Sequence, residues 1–245
     1  MKPILFNTEM VQAILDRRKR FTRRIANINT DITCNDGTTN HDFVLDNFNH
    51  CYRPTGFVCR KCGFGVAPPH SRDPVGTSRF RPRYFPGDIL YVRETWRIQS
   101  AHRFEADARI EFRAGGQMTT IQFPGRCSDS HERNTYDEFI SKWGVNGKWH
   151  PSIHMPKEAA QTFLRVKKVS VERLNDMLEE DAIAEGFPDL GVDADSPLER
   201  FAVLWDKTIK RDQIEKFGWY ANPWTWVIEY ERISKEEAVK EDAKC

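Results

Sequence analysis

The alternation of apolar and polar residues along the chain predicts a mixed α+β fold. A short apolar run favours a strand at residues 2–6, and alternation favours one at 88–96. Between them, β-branched and aromatic side chains favour an extended segment at 20–25. After the first strand, apolar residues at helical spacing predict a helix over residues 9–18, with Thr8 as its N-cap.

The second half of the chain continues this alternation of strands and helices. The pattern first predicts a β-hairpin of residues 108–114 and 117–123, with Gly115 and Gly116 as its two-residue turn, and then a short helix at 136–143. A strand at 163–174 and an acidic helix at 179–185, ended by Gly186, follow. The last predicted elements are a helix that begins at the capping box of Ser196 and Glu199 and a strand at 224–231. The aromatic residues of the last strand are expected to be core. The charged tail, 234–245, is expected to be frayed.

Length and composition place the chain among ordinary globular proteins. Its 245 residues, of which 39% are hydrophobic and 30% charged, suffice for one large domain, and we expect a single domain over residues 1–245. A formal net charge of +1 provides no general attraction to nucleic acid, so such binding would need a local basic patch. No apolar run is long enough for a membrane span, and the N-terminus lacks a signal-peptide pattern, which favours a cytoplasmic protein with no membrane partner.

Residues 26–82 lack clear periodicity and are expected to form an insertion or a small subdomain. This stretch carries a cluster of four cysteines: Cys34, Cys51, Cys59 and Cys62. The last two are separated by two residues, a spacing that lets both thiolates bind one zinc ion, and the other two would complete a tetrahedral structural site. Three histidines are alternative ligands: His41, His50 and His70. Reduced thiols without a metal are the other interpretation.

A basic run is the most unusual local feature of the sequence. Six of the eight residues from Arg17 to Arg24 are cationic, and a positive field of this kind makes a lysine easier to deprotonate. Lys19 can lose a proton in this way, whereas an arginine cannot. Lys19 and Thr22 lie three residues apart and can meet if the chain turns near Arg20. A solvated basic turn that binds phosphate, or nothing, is the alternative.

Two glutamates stand out by their positions. Glu94 shares a strand face with Leu90, Val92 and Trp96, and a carboxylate on such an apolar face is either paired with an arginine or directed into a pocket. Glu185 lies at the C-terminal end of the acidic helix, where the helix dipole favours the protonated carboxyl. That property suits a general acid, although glutamates also occupy such positions on inert surfaces.

The order of these elements resembles that of the ASCH domain, a relative of the PUA-like β-barrels, and above all its bacteriophage-type members. The resemblance covers the first 25 residues with the basic turn, residues 84–96 with PGDILYVRETW, and residues 150–230 with DAIAEG and the aromatic strand. It implies a PUA-like (ASCH) mixed β-barrel with flanking helices, in which the cysteine-containing insertion is an elaboration.

The resemblance also implies an activity. Members of this superfamily include small bacterial amidohydrolases that remove the acyl group from N4-acetylcytidine, and others are thought to bind RNA. In the hydrolases a lysine, a threonine three residues later and a downstream glutamate are taken as catalytic, and these fall on Lys19, Thr22 and Glu185. The GRK-x-x-T-type pattern is kept at its reactive positions but not letter for letter, because Arg20 and Phe21 fill the gap.

We therefore expect a hydrolase that acts on a nucleoside without a catalytic cofactor. Lys19 would activate either Thr22 or water, and Glu185 would protonate the departing amine or position Lys19. Three residues are expected to bind substrate: Arg24 as the oxyanion donor, Glu94, and Trp96 stacking on the base. The alternative is an RNA-binding module in which the arginines of the basic run contact phosphates without catalysis.

Overall fold

The computed structural model describes residues 1–26, 43–46, 56–59, 82–124, 133–191 and 194–243, with the backbone alone at 43–46, 56–59 and 133–134. These residues form a mixed α+β protein, as the sequence predicts. The strands are β1 Lys2–Leu5, β2 Phe21–Ile25, β3 Phe43–Asp46, β4 Gly56–Cys59, β5 Ile89–Arg93, β6 Trp96–His102, β7 Asp107–Phe112, β8 Thr119–Gln122, β9 Phe163–Arg173 and β10 Trp224–Ile233. The helices are α1 Thr8–Leu15, α2 Arg133–Trp143, α3 Glu179–Ala184, α4 Pro197–Thr208, α5 Ile214–Phe217 and α6 Lys235–Asp242. Short 3₁₀ helices occupy Ser152–His154, Lys157–Ala159, Leu174–Asp176, Arg211–Gln213 and Trp219–Ala221.

The strands in the described part of the chain belong to three sheets. The largest has the order β1-β5-β9-β10-β2, and the other two are β6-β7-β8 and the pair β3-β4. In the largest sheet β1 is parallel to β5, whereas the pairs β5-β9 and β10-β2 are antiparallel. Strands β1 and β2 are its two edges, so the strands that the structure describes do not close into a barrel.

The chain divides into two compact units. The first contains residues 1–17, 89–165 and 232 onward, and the second contains residues 18–88 and 166–231. The sequence pattern does not predict this division. None of the helices in the described part of the chain is both long and apolar enough to cross a membrane.

The core of the first unit lies largely under the three-stranded sheet. Its antiparallel strands alternate buried and more exposed residues, so one face of the sheet is apolar. Buried core residues include Trp96, Ile98, Ile110, Phe112, Met155 and Phe163. The predicted helix after this sheet is confirmed as α2, and it places Phe139 and Trp143 against the same core.

Helix α1 begins and ends earlier than the sequence predicts. The N-cap is Asn7, whose side-chain oxygen accepts a hydrogen bond of 2.9 Å from the backbone N–H of Met10, so the predicted cap, Thr8, is the first helical residue. The helix ends at Leu15 rather than near Arg18 because Arg17 has a left-handed backbone conformation, with φ at +60°. This early end leaves the rest of the basic run outside the helix.

The strand predicted at 88–96 is two strands in different sheets. Strand β5 ends at Arg93 and β6 begins at Trp96, so Glu94 and Thr95 connect the five-stranded sheet to the three-stranded one. The predicted alternation nevertheless holds, because Leu90, Val92, Glu94 and Trp96 are all buried.

The hairpin between β7 and β8 is confirmed, but its two-residue turn is wrong. The last strand pair is Ile110 with Thr119, so Gly115 and Gly116 lie within a longer loop. Gly116 has φ at +93°, and a Cβ atom there would stand 2.4 Å from Oε1 of Gln161. The glycine therefore permits close approach of the backbone to Gln161 rather than a tight turn.

Most of the tail, which its charged composition predicts to be frayed, is instead helix α6. Ser234 and Glu237 form a capping box, and Ala238 is fully buried. Glu241 accepts a hydrogen bond of 2.9 Å from Nε of Arg165, and Asp242 pairs with the amino group of Met1. Packing and ion pairs thus hold a segment whose composition is mostly charged.

The second unit contains the elements that position the candidate site. Strand β2 pairs with β10, whose aromatic residues are buried, as predicted for core positions. Helix α3 ends at Ala184 and is followed by Gly186 with φ at +106°, and α4 begins at the predicted capping box, with Phe201 and Trp205 buried. Of the insertion at 26–82, only β3, β4 and the two ends lie within the described residues.

Candidate functional site

Just before β2, the side chain of Lys19 is buried, whereas the side chains next to it in the basic run are in solvent. Lys19 is 4% exposed, whereas Arg18 and Arg20 are exposed. Two contacts fix this turn to the end of α3: the backbone N–H of Arg20 donates to the carbonyl of Ala184 at 2.7 Å, and Nη1 of Arg18 donates to the carbonyl of Gly186 at 2.9 Å.

These contacts bring Lys19 directly to Glu185. Nζ of Lys19 lies 2.5 Å from Oε2 of Glu185 and donates a second hydrogen bond of 2.8 Å to the backbone carbonyl of the same residue. The two side chains are only 2% and 3% exposed. Two of the three predicted catalytic residues, which are 166 positions apart in sequence, therefore form one buried ion pair.

Arg23 is the second cation of this site. Nη1 of Arg23 contacts Oε1 of Glu185 at 3.3 Å, so each carboxylate oxygen of Glu185 has its own cationic partner. The other edge of the guanidinium faces β9 and α3, because Nη2 lies 2.5 Å from Glu172 and 3.4 Å from Asp181. Arg23 is 5% exposed, so it is nearly as buried as Lys19.

The sequence predicts Arg23 only as one of the arginines that would contact phosphate, so this role is a new finding of the structure. The sequence signal for this role is the alternation of side chains along an extended segment. Alternation alone therefore predicts that Arg23 leaves β2 on the side of Lys19.

Burial is the main influence on the protonation of Lys19. It lowers the pKa of the Lys19 ammonium because the charged form loses its hydration, and Glu185 opposes that change as the closest anion. The positive charges of Arg24 and Arg23 lower the same pKa further. The site therefore combines a lysine that is easier to deprotonate with a carboxylate that keeps a permanent cation, Arg23, when Lys19 loses its charge.

Thr22, the third predicted catalytic residue, is near in sequence but does not join this network. It is 3% exposed and pairs with Ile228 of β10. In the described part of the chain, no hydrogen bond links its hydroxyl to Lys19 or Glu185. Arg24, the predicted oxyanion donor, is exposed and is close enough to Glu185 and Tyr230 to interact with them electrostatically.

The two other residues predicted to bind substrate, Glu94 and Trp96, belong to the first unit. Glu94 is 1% exposed, and Oε1 accepts a hydrogen bond of 3.0 Å from Nε2 of Gln161, while Oε2 has no partner among the described residues. Burial raises the pKa of Glu94 to about 7, and the Gln161 hydrogen bond opposes that shift.

Trp96 is a core residue in this structure. Its side chain is 0% exposed, and its ring lies 6.1 Å from Phe139, 5.2 Å from Trp143 and 5.1 Å from His150, measured between ring centroids. Because neighbouring rings enclose it, Trp96 presents no free face for a base to stack upon.

The predicted cysteine site lies mostly outside the described residues. Cys34, Cys51 and Cys62 are outside them, and Cys59 is described only as the last backbone position of β4. The zinc site therefore stays a prediction, together with its alternative histidine ligands. Within the described residues, one other group has metal-binding side chains close together: His102, Glu105 and Asp107 of the first unit.

Three comparisons with known proteins, against family models, curated proteins and solved structures, found no match for this chain. Its function is therefore inferred from the geometry of the site and from the sequence motifs that resemble the ASCH domain.

Proposed function

We propose that the chain is an amidohydrolase of the ASCH type that removes the acyl group from N4-acylated cytidine or cytosine. The observation that supports this proposal is the buried contact between Nζ of Lys19 and Oε2 of Glu185. A titratable pair enclosed in protein, with a lysine whose pKa is lowered by burial, suits proton transfer to and from a substrate. As part of the same proposal, we assign the α+β fold to the PUA-like type.

The catalytic cycle begins with the neutral amine of Lys19. This amine removes a proton from a water molecule as the water oxygen bonds to the acyl carbon, and the carbonyl electrons move to oxygen. Collapse of the tetrahedral intermediate breaks the bond to N4, and the Lys19 ammonium returns its proton to that nitrogen. The products are the free carboxylic acid and cytidine, and the lysine is again neutral.

Water is the nucleophile that we favour over the hydroxyl of Thr22. A threonine activated by Lys19 needs a hydrogen bond to the amine, and none links these two side chains in this part of the structure. Thr22 then orients the substrate, and Arg24, whose charge acts on both Lys19 and Glu185, stabilises the oxyanion.

Glu185 and Arg23 prepare Lys19 for this chemistry. Glu185 holds the lysine through two contacts, one from its carboxylate and one from its backbone carbonyl. When Lys19 is neutral, Arg23 still compensates the carboxylate at 3.3 Å, so the cycle never leaves a buried anion without a cation. We assign Arg23 as a positioning residue because it acts through Glu185.

The deciding experiment is ultraviolet-monitored hydrolysis of N4-acetylcytidine by the purified full chain and by the Lys19→Arg variant. Arginine keeps the positive charge next to Glu185 but cannot act as a base, so we expect kcat/KM to fall by about 10²–10⁴-fold. The matched control is Lys168→Arg, which makes the same change at an exposed lysine of β9 and should leave the rate unchanged. Activity should also survive a chelator.

Two results would contradict the proposal. One is the absence of turnover of N4-acetylcytidine and of longer-acyl analogues by folded wild-type protein. The other is equal activity of wild type and Lys19→Arg, since an arginine cannot cycle a proton at neutral pH. Circular dichroism of each variant establishes that the compared proteins are folded.

RNA binding is the second candidate, and the exposure of the basic run favours it. Arg17, Arg18, Arg20 and Arg24 are all exposed, in contrast to buried Lys19 and Arg23. If these arginines bind phosphates, affinity for single-stranded RNA should fall steeply with salt, and each Arg→Ala variant should flatten that salt dependence by roughly one phosphate contact. Fluorescence anisotropy over a salt series measures this effect.

A further inference from the structure

A polar cluster at the turn between β6 and β7 lies apart from the proposed catalytic residues in sequence and chemistry. It consists of His102 at the end of β6, Glu105 in the turn and Asp107 at the start of β7. One ligand atom from each residue lies within 4.8 Å of the other two, and Nδ1 of His102 stands 2.9 Å from Oδ1 of Asp107.

These distances suit a shared metal ion. Nitrogen and oxygen ligands bound at about 2.1 Å, with angles of roughly 90–109° at the metal, stand about 3.0–3.4 Å apart. The His102 and Asp107 atoms are already near the lower end of that range. Glu105 is exposed, so its side chain can close the remaining distance by rotation.

The backbone holds two of the three residues in place. His102 and Asp107 face each other in the register of β6 and β7, so strand pairing fixes their separation. Ala106 in the turn has φ at +49°, and its carbonyl accepts a hydrogen bond of 2.9 Å from the N–H of Phe123, just after β8. A site built on paired strands needs little reorganisation to accept an ion.

Among the side chains that the structure describes, the cluster has no fixed positive charge as a partner. Asp107 is 8% exposed, and His102 is the partner of its carboxylate among the described side chains. The neighbouring cation, Arg103, contacts Asp137 at 3.4 Å instead. A largely buried carboxylate whose partner is an imidazole rather than a permanent cation is stabilised by a bound metal ion.

We propose that His102, Glu105 and Asp107 form a binding site for a divalent transition-metal ion, with Zn²⁺ as the ion of choice. An imidazole with two carboxylates suits Zn²⁺ better than Ca²⁺ or Mg²⁺, which take oxygen ligands, and the order of divalent affinities favours Zn²⁺ over Mn²⁺ and Fe²⁺. Three protein ligands leave at least one position for water, because the turn faces solvent. The site does not depend on the amidohydrolase proposal.

The test is calorimetric titration of the full chain with Zn²⁺, comparing wild type with His102→Ala and Asp107→Asn. We expect wild type to bind one equivalent more than either variant, or to bind that equivalent roughly tenfold or more tightly. The matched control is His154→Ala, which removes an exposed histidine of the same unit and should bind as wild type does. Any zinc held by the cysteines is common to all four proteins and cancels.

Co²⁺ as a spectroscopic probe separates the two kinds of site. Cobalt bound by thiolates shows intense charge-transfer absorption, whereas cobalt bound by nitrogen and oxygen ligands does not. The equivalent that disappears in His102→Ala should lack the thiolate bands. Equal zinc stoichiometry and affinity in wild type and His102→Ala would overturn the proposal, and so would loss of an equivalent that carries thiolate bands.

Discussion

Two glutamates in this protein are buried to the same degree but have opposite electrostatic surroundings. Glu185 is 2% exposed in the second unit, and Glu94 is 1% exposed in the first. Glu185 has a cation at each carboxylate oxygen, Lys19 on one and Arg23 on the other. Glu94 has the neutral amide of Gln161 on one oxygen and no described partner on the other.

The difference shows that burial alone does not determine what a carboxyl group can do. Removing a carboxylate from water is expensive, and only a nearby cation or several hydrogen bonds offset that cost. Glu185 meets this condition through Lys19 and Arg23. Glu94 does not, so its pKa rises to about 7 and it is a neutral acid over much of the acidic pH range.

The sharpest way to test this contrast is Glu185→Gln. The substitution keeps the shape of the side chain but removes the anion between Lys19 and Arg23, leaving two buried cations without their shared partner. We expect the free energy of unfolding at pH 7 to fall by about 3–5 kcal/mol, measured by urea denaturation.

The control for this measurement is Glu180→Gln, which makes the same change at an exposed position of α3. It should alter stability by less than about 0.5 kcal/mol. A loss of less than about 1 kcal/mol in Glu185→Gln would mean that water screens the pair as it does at a surface, and the comparison of the two glutamates would fail.

At neutral and alkaline pH, Glu94→Gln should raise the free energy of unfolding, whereas Glu185→Gln lowers it. Between the ordinary glutamate pKa of 4.5 and the folded-state pKa of about 7, the folded protein keeps a proton that the unfolded chain releases. Stability that Glu94 contributes is therefore present below pH 4.5 and is lost as pH rises to about 7. The difference of about 2.5 pKa units corresponds to roughly 3 kcal/mol.

The measurement is the free energy of unfolding of wild type and Glu94→Gln at pH 5 and pH 8. Glutamine can still accept the hydrogen bond from Gln161 but has no charge to bury, so the variant should gain on wild type as pH rises, by about 3 kcal/mol at most. Parallel pH dependences of the two proteins would show that Glu94 titrates like an exposed glutamate.

Local signals allowed much of the fold to be predicted from the sequence. The capping box at Ser196 and Gly186 after α3 each act through neighbouring residues, and both appear where the sequence predicts them. The capping box of Ser234 and Glu237 carries the same kind of signal, and the mostly charged composition of the tail obscured it. Thr8 and Asn7 are both good caps, so the sequence alone could not choose between them.

Contacts between distant residues set the limit of that prediction. The pairing of Lys19 with Glu185 followed from the resemblance to the ASCH domain, because nothing local links residues 166 positions apart. Arg23 was missed since an arginine within a basic run looks like a solvated one until its carboxylate partners on β9 and α3 are known. The neutral partner of Glu94 was hidden for the same reason.

Arg23→Lys should have the smallest of the three effects on the free energy of unfolding. It tests whether Glu185 needs any cation at this position or a guanidinium in particular. Lysine preserves the charge, but one ammonium cannot reach Glu172 and Glu185 in the fixed geometry of the guanidinium. We expect a loss of about 2 kcal/mol in the free energy of unfolding, the value of a hydrogen bond to a charged group.

The pH profile of N4-acetylcytidine hydrolysis gives Arg23→Lys a second readout that a purely structural role would not change. Since the charge near Lys19 is retained, the pH at which activity appears should stay close to that of wild type. Arg23→Gln removes that charge and should raise the pKa of Lys19, so its activity should appear at higher pH. Equal losses of stability and identical pH profiles in Arg23→Lys and Arg23→Gln would show that the guanidinium supports the fold without setting the protonation of Lys19. The contrast between Glu185 and Glu94 would then concern protein stability and not catalysis.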